Sequence, residues 1–147
     1  KGASMSLMFE PLRKYATFSG RARRKEYWLW QLFMILLFGA LMAWLIGSIG
    51  PIPHGATPDE IAARAQGVPA ATWPITAIAL ASLALFLPSL AVTVRRIHDS
   101  GNSGWWILIS LTAIGSLVIL VFALIDGTPG PNRHGPDPKG RPAPDYR

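Results

Sequence analysis

The sequence predicts an all-α fold: a polytopic membrane protein with three transmembrane helices, a short helix in the outer loop and an N-terminal interfacial amphipathic segment. Three observations carry that expectation. The 147 residues join a net charge of +6 to a positive mean hydropathy of +0.31. Charged and apolar side chains occupy separate stretches, and residues 28–49, 74–94 and 105–125 contain none of the 22 charged residues. No strand pattern of any length breaks into them. A buried helix of a soluble protein also reads as apolar, but three such runs in so small a chain leave too little polar sequence to cover them.

The elements follow in order. Lys1 to Ser4, ahead of Met5, read as an expression scar. In the segment 5–27, Met8, Leu12, Tyr15 and Phe18 recur at helical spacing beside Arg13 and Lys14, which suits a helix lying in the membrane interface. The first run, Trp28 to Ile49, holds 22 residues, enough at about 1.5 Å each to cross a core of about 30 Å. It exceeds the apolar core of a cleaved signal peptide, and the small-residue site Ala63-Arg64-Ala65 lies too far downstream, so the run is expected to be retained. In the outer loop, Thr57-Pro58-Asp59-Glu60 offers a capping box with proline at the first helical position, predicting a helix from Pro58 to Gln66 near the outer surface, with Ile61, Ala62 and Ala65 facing the bilayer or the bundle. The second run, Pro74 to Val94, carries Pro88, expected to kink it. The third, Trp105 to Ile125, is expected to span in full rather than turn back near Gly115-Ser116. From residue 126 to 147 the chain is a Gly/Pro-rich tail, expected to be loop or disorder.

Orientation follows from the basic residues. Seven of the 14 Lys and Arg precede the first run, whereas the loop from Gly50 to Trp73 has only Arg64, so the N-terminus is expected to be cytoplasmic. Arg95 and Arg96 put the second connection on the same side. Three full spans then send the tail outward, although Arg133, Lys139, Arg141 and Arg147 argue for its retention. Small residues are expected to mark where helices meet, because burial of apolar area gives little driving force in lipid. Gly39, Ala43 and Gly47 form such a stripe on the first helix, and Ala77, Ala81, Ala84 and Ala91 on the second. A homo-oligomer is one expected use of these faces.

Two polar clusters flank the runs: Phe18 to Trp28, containing Gly20, Arg21, Arg24, Glu26, Tyr27 and Trp28, and Arg95 to Trp106, containing Arg95, Arg96, His98, Asp99, Ser103, Gly104, Trp105 and Trp106. A third, Gly127 to Pro138, follows the last run. Together they resemble the domain of unknown function 805 family, the YhaH-like small bacterial inner-membrane proteins, over Phe18 to Pro138. The resemblance implies a small helical protein of the bacterial inner membrane with no activity assigned. This chain departs from the family pattern in its longer, capped outer loop and in His134, where an aromatic residue is more usual.

Arg21, Arg23, Arg24, Arg95 and Arg96, with His98 beside them, are expected to bind anionic lipid headgroups or to form an ion-pair network with Glu26 and Asp99 across the helix mouths. Gly101 and Gly104 let the turn bend tightly enough for that. Tyr27, Trp28, Trp105 and Trp106 are expected in the interfacial aromatic belt. A catalytic use of His98 and Asp99 is the weaker reading, since no nucleophile motif or second acid accompanies them, and no enzyme activity is expected. Without cysteine, and with His54, His98 and His134 on separate loops, no metal and no cofactor is expected. Positive-inside topology accounts for the basic charge better than nucleic acid does. The expected role is a non-catalytic protein that assembles through small-residue faces and binds anionic lipid at its basic rim. The alternative is an oligomeric channel or small-solute transporter lined by Ser110, Thr112, Ser116 and Gln31, since no ionisable residue lies in the runs.

Overall fold

A computed structural model describes residues 6–51, 53–67 and 69–145, with the side chain of Ala65 also outside the described set. Lys1 to Ser4 and Arg147, which carried sequence expectations, lie outside it too. Among the described residues the regular structure is helical, apart from one isolated antiparallel bridge between Asn132 and Gly135. The helices are α1 (Glu10–Arg13), α2 (Arg24–Ile49), α3 (Pro58–Gly67), α4 (Pro69–Asp99), a 3-10 helix η1 (Gly104–Leu111) and α5 (Gly115–Leu124). Of these, α2 and α4 are long and apolar enough to cross a membrane. The chain divides into two compact units, one of residues 32–85 and one of residues 1–31 with 86–147.

In the unit 32–85, Thr57 and Glu60 start α3 by a reciprocal cap. The Thr57 N–H donates to Glu60 Oε2 at 2.7 Å, and the Glu60 N–H donates to Thr57 Oγ1 at 3.3 Å. These bonds hold the Glu60 carboxyl below its ordinary value. Ile61 is half-buried and Ala62 exposed. Gly39, Ala43 and Gly47 are exposed, and no described residue comes within 4 Å of where a Cβ on Gly39 or Gly47 would stand. Ala77 and Ala81 are half-buried and Ala84 exposed.

In the other unit the apolar core gathers Ala22, Tyr27, Trp30, Ala91, Val92, Val94, Ile97 and Ala123. Trp30 Nε1 donates to Ser89 Oγ at 3.0 Å, tying α2 to α4, and the buried Pro88 sits one residue away within unbroken α4. α4 also runs past the apolar stretch to Asp99, so Arg95, Arg96 and Asp99 lie on one helical turn rather than in a loop. Gly101, at φ +79°, ends that turn in the left-handed region.

The third apolar run corrects an expectation. Instead of one span over 105–125, the structure has eight residues of η1, a break at 112–114, and ten residues of α5 folded back on η1, with the Trp106 and Phe122 rings edge to face at 5.8 Å. At the break Thr112 is extended, its N–H donating to the Ile109 carbonyl at 2.9 Å, and Thr112 Oγ1 and Ser110 Oγ donate back to the Ile109 and Ile107 carbonyls at 2.7 and 2.6 Å. Gly115 then lies against the Ile109 carbonyl so closely that any Cβ would overlap it. We expect Gly115→Ala to cost about 1–3 kcal/mol through this overlap. Thermal unfolding in detergent checks it, with Ser116→Ala, whose side chain is exposed, as the near-neutral control.

The tail is corrected with it. Rather than disordered, residues 126–141 form an ordered strap in the same unit as Arg21 and Asp99, with Gly127, Gly130 and Asp137 buried.

Candidate functional site

The last turn of α4, the segment before α2 and the strap converge on Asp99. Its carboxylate, about 1% exposed, accepts from Arg21 Nε on Oδ1 at 2.8 Å and from Arg96 Nη1 on Oδ2. Arg21 also donates through Nη1 to the Gly130 carbonyl at 2.7 Å and through Nη2 to that of Thr128, while Arg96 Nη2 donates to that of Ile125. The Thr128 N–H donates to the Asp99 carbonyl at 2.9 Å, and Asn132 Nδ2 to that of His98 at 3.0 Å. The planar guanidinium of Arg21 thus clamps the helix end and the strap together. Gly127 completes the fit, because a Cβ there would overlap the Asp99 carboxylate.

A second buried pair lies beside it. Arg95 Nη1 donates to Glu26 Oε1 at 3.0 Å, and the Ala22 N–H donates to the Arg95 carbonyl at 3.0 Å. Arg95 Nε and Nη2 and Arg96 Nε have no hydrogen-bond partner among the described residues. Of the two uses expected of Arg21, Arg95 and Arg96, the structure has them in the ion-pair network with Glu26 and Asp99, buried away from the surface where headgroups would meet them.

Arg23, Arg24 and Lys25 differ. Their side chains form no salt bridge or hydrogen bond with a described residue, and with Lys139 of the strap they line a cavity of about 470 Å³. Lys139 is itself paired with Asp126.

His98 and Asp99, adjacent in sequence, do not form a dyad. Asp99 is taken by the two arginines; His98 approaches the Gly20 carbonyl through Nδ1 at 3.3 Å and stacks on His134 with ring centroids 3.8 Å apart and planes 6° from parallel. His134 thus fills an aromatic role. Among the aromatic residues, Trp28, Trp105 and Trp106 are exposed, whereas Tyr27 is buried and its hydroxyl accepts from Gln31 Nε2 at 2.8 Å, which removes it from the expected belt. Ala91 lies in the core. Among the described residues no group of three or more His, Asp or Glu could hold a metal ion.

The strap holds further residues that sequence reasoning did not single out. Arg141 Nε donates to Asp137 Oδ2 at 2.7 Å and its Nη1 to Asp126 Oδ2 at 3.1 Å. The only sequence signal was an acid and a base four residues apart. The Arg141 guanidinium draws the Asp137 carboxyl down to about 2, and Lys139 holds Asp126 below its ordinary value. Burial, aided by Arg133, lowers His134.

These shifts set the pH response. A carboxyl depressed in the folded state contributes stability above its unfolded pKa of about 3.9, lost as pH falls through the folded value of about 2. A depressed histidine contributes above its unfolded value of about 6.5 and loses that contribution as pH falls below it. Between pH 7.5 and 5 the second acts, so strap amides over 128–137 are expected to exchange faster at pH 5 after correction for the intrinsic rate. His134→Phe keeps the ring on His98 but removes the His134 contribution, and should reduce the difference.

The sequence comparisons bear on this clamp directly. The profile of a family described as a protein of unknown function (DUF805) matches residues 15–136, a range that includes Arg21, Glu26, Arg95, Arg96, Asp99 and Gly130. The chain belongs to the DUF805 family. Within it, the chain is 38% identical over 139 residues to the inner membrane protein YhaH of Escherichia coli strain K12, covering 94% of this chain and all of that one. It is 40% identical over 129 residues to the inner membrane protein YhaI of the same strain, covering 87% of this chain and 91% of the other. The uncharacterized protein YiiR of that strain is 29% identical, with 82% and 85% covered. No solved structure matches. Two of these relatives are named inner membrane proteins, and helices α2 and α4 of this chain are long and apolar enough to cross a membrane.

Proposed function

We propose that this protein is a non-catalytic component of the bacterial inner membrane that crosses it twice, through α2 and α4, and engages anionic lipid at a cytoplasmic basic rim. The carrying observation is the change in character at the start of α2. Among the described residues the side chains of Arg23, Arg24 and Lys25 form no salt bridge or hydrogen bond there, and a few residues later Leu32, Ile35 and Leu36 are 48%, 69% and 60% exposed. A surface that turns from free cations to bare hydrocarbon within about two helical turns suits the boundary between headgroups and acyl chains. Positive-inside bias then puts this end in the cytoplasm, together with the strap. The η1–α5 hairpin enters from that side without crossing, its two pieces each reaching roughly 15 Å. Oligomerisation through the open Gly39, Ala43 and Gly47 face belongs to the same reading.

The test is thermal unfolding of the protein in phosphatidylcholine nanodiscs, with and without phosphatidylglycerol. We expect a rise of several degrees with the anionic lipid, lost in Arg23→Ala/Arg24→Ala/Lys25→Ala. Indifference to headgroup charge rejects the reading.

A further inference from the structure

We infer that the cavity formed by Arg23, Arg24, Lys25 and Lys139 is a binding site for an anion carrying two phosphate groups, and that its occupancy holds the strap docked. The inference rests on the rim reading only for the source of the phosphate, since the same chemistry is offered by a diphosphate lipid headgroup and by free pyrophosphate.

Charge is the first argument. Four cationic side chains line one cavity and no acid does; Asp126 pairs with Lys139 from outside the lining, so the other three repel one another unless an anion enters. A single phosphodiester would balance one of those three charges, whereas two phosphates balance at least two. Size agrees, because about 470 Å³ is many times the roughly 30 Å³ of one water. Three of the cations are also available: Arg24 and Lys25 are exposed, and the side chains of Arg23, Arg24 and Lys25 have no salt bridge or hydrogen bond among the described residues, while Lys139 is exposed but shared with Asp126. The positive end of the α2 dipole adds to the same field.

Lys139 gives the site its second property. Three cations come from the start of α2, but the fourth comes from the strap, which Asp126, Asp137 and Arg141 shape around it. A ligand that binds all four therefore binds the docked strap better than the released one. Linkage requires that docking in turn raise the affinity.

The experiment uses the full chain in phosphatidylcholine nanodiscs. Binding of inorganic pyrophosphate and of inorganic phosphate is measured by calorimetry, and strap exchange is followed with each. A parallel series replaces part of the lipid with cardiolipin or with phosphatidylglycerol at equal charge. We expect pyrophosphate to bind at least tenfold tighter than phosphate, cardiolipin to stabilise more than phosphatidylglycerol, and either diphosphate to slow strap exchange severalfold. Arg24→Ala, Lys25→Ala and Lys139→Ala should each weaken binding roughly fivefold, from about 1 kcal/mol per cation. Equal binding of phosphate and pyrophosphate, or a Lys139→Ala variant within twofold of the parent, overturns the site. If anionic lipid stabilises the protein without regard to Lys139, the rim reading stands and the cavity falls. If pyrophosphate binding needs Lys139 while no lipid has an effect, the cavity stands and the rim reading falls.

Discussion

Replacing Asp99 with alanine is expected to cost about 3–5 kcal/mol, because it leaves the buried Arg96 guanidinium without its counter-charge and Arg21 with only Asp137, whose Oδ1 lies 3.8 Å from Nη2. Arg21 and Arg96 both point at this carboxylate from a fully desolvated position, and neither can reach water without moving the strap or the end of α4. The loss should appear as a large drop in thermal stability in detergent, with rapid proteolysis between Gly127 and Arg141. Asp99→Asn tests the charge separately from the shape: it keeps an acceptor for one arginine and should recover only a minority of the loss. Arg24→Ala, which removes a cation outside the clamp, should leave unfolding in detergent nearly unchanged. Equal losses for Arg24→Ala and Asp99→Ala would mean that the carboxylate is not the anchor.

The second large effect is expected at Glu26 and Arg95. Removing either one strands the other in a site about 1–6% exposed by side chain, again about 3–5 kcal/mol. Removing both in favour of apolar residues of similar size, as in Glu26→Leu/Arg95→Met, should be far milder than the sum of the single changes, since the desolvation cost of both charges vanishes with them. Arg95 strengthens this expectation, because two of its nitrogens are buried without a hydrogen-bond partner among the described residues and so contribute only cost. A double variant as damaged as the two singles combined would show that the pair does not interact.

Some parts of this structure could be read before folding was considered and some could not. The two long helices were legible because their runs lack charge over a bilayer's length. The outer helix was legible because Thr57 and Glu60 carry a local code that needs no partner elsewhere. The third run defeated the same logic: length and apolarity are identical for one helix and for two short ones, and the folded-back form turns on a close approach of Gly115 to the Ile109 carbonyl that leaves no room for a Cβ. At the basic end, acids placed among bases suggested pairing. Which arginines are buried could not be read, because Arg21 is held by groups 78 and 109 residues away and Arg23, two positions on, by none. The strap was hidden for the same reason: its glycines and prolines resemble disorder until their carbonyls meet Arg21.

That wide separation has a consequence for biogenesis. Arg21 leaves the ribosome 109 residues before Gly130, so the strap contacts that complete the clamp form only well after Asp99 has supplied its counter-charge. Until then the insertion intermediate carries guanidinium N–H groups that lack their strap carbonyls at the mouth of its helices. A stalled or shortened nascent chain would present them to proteolytic quality control, and only the finished protein would conceal them.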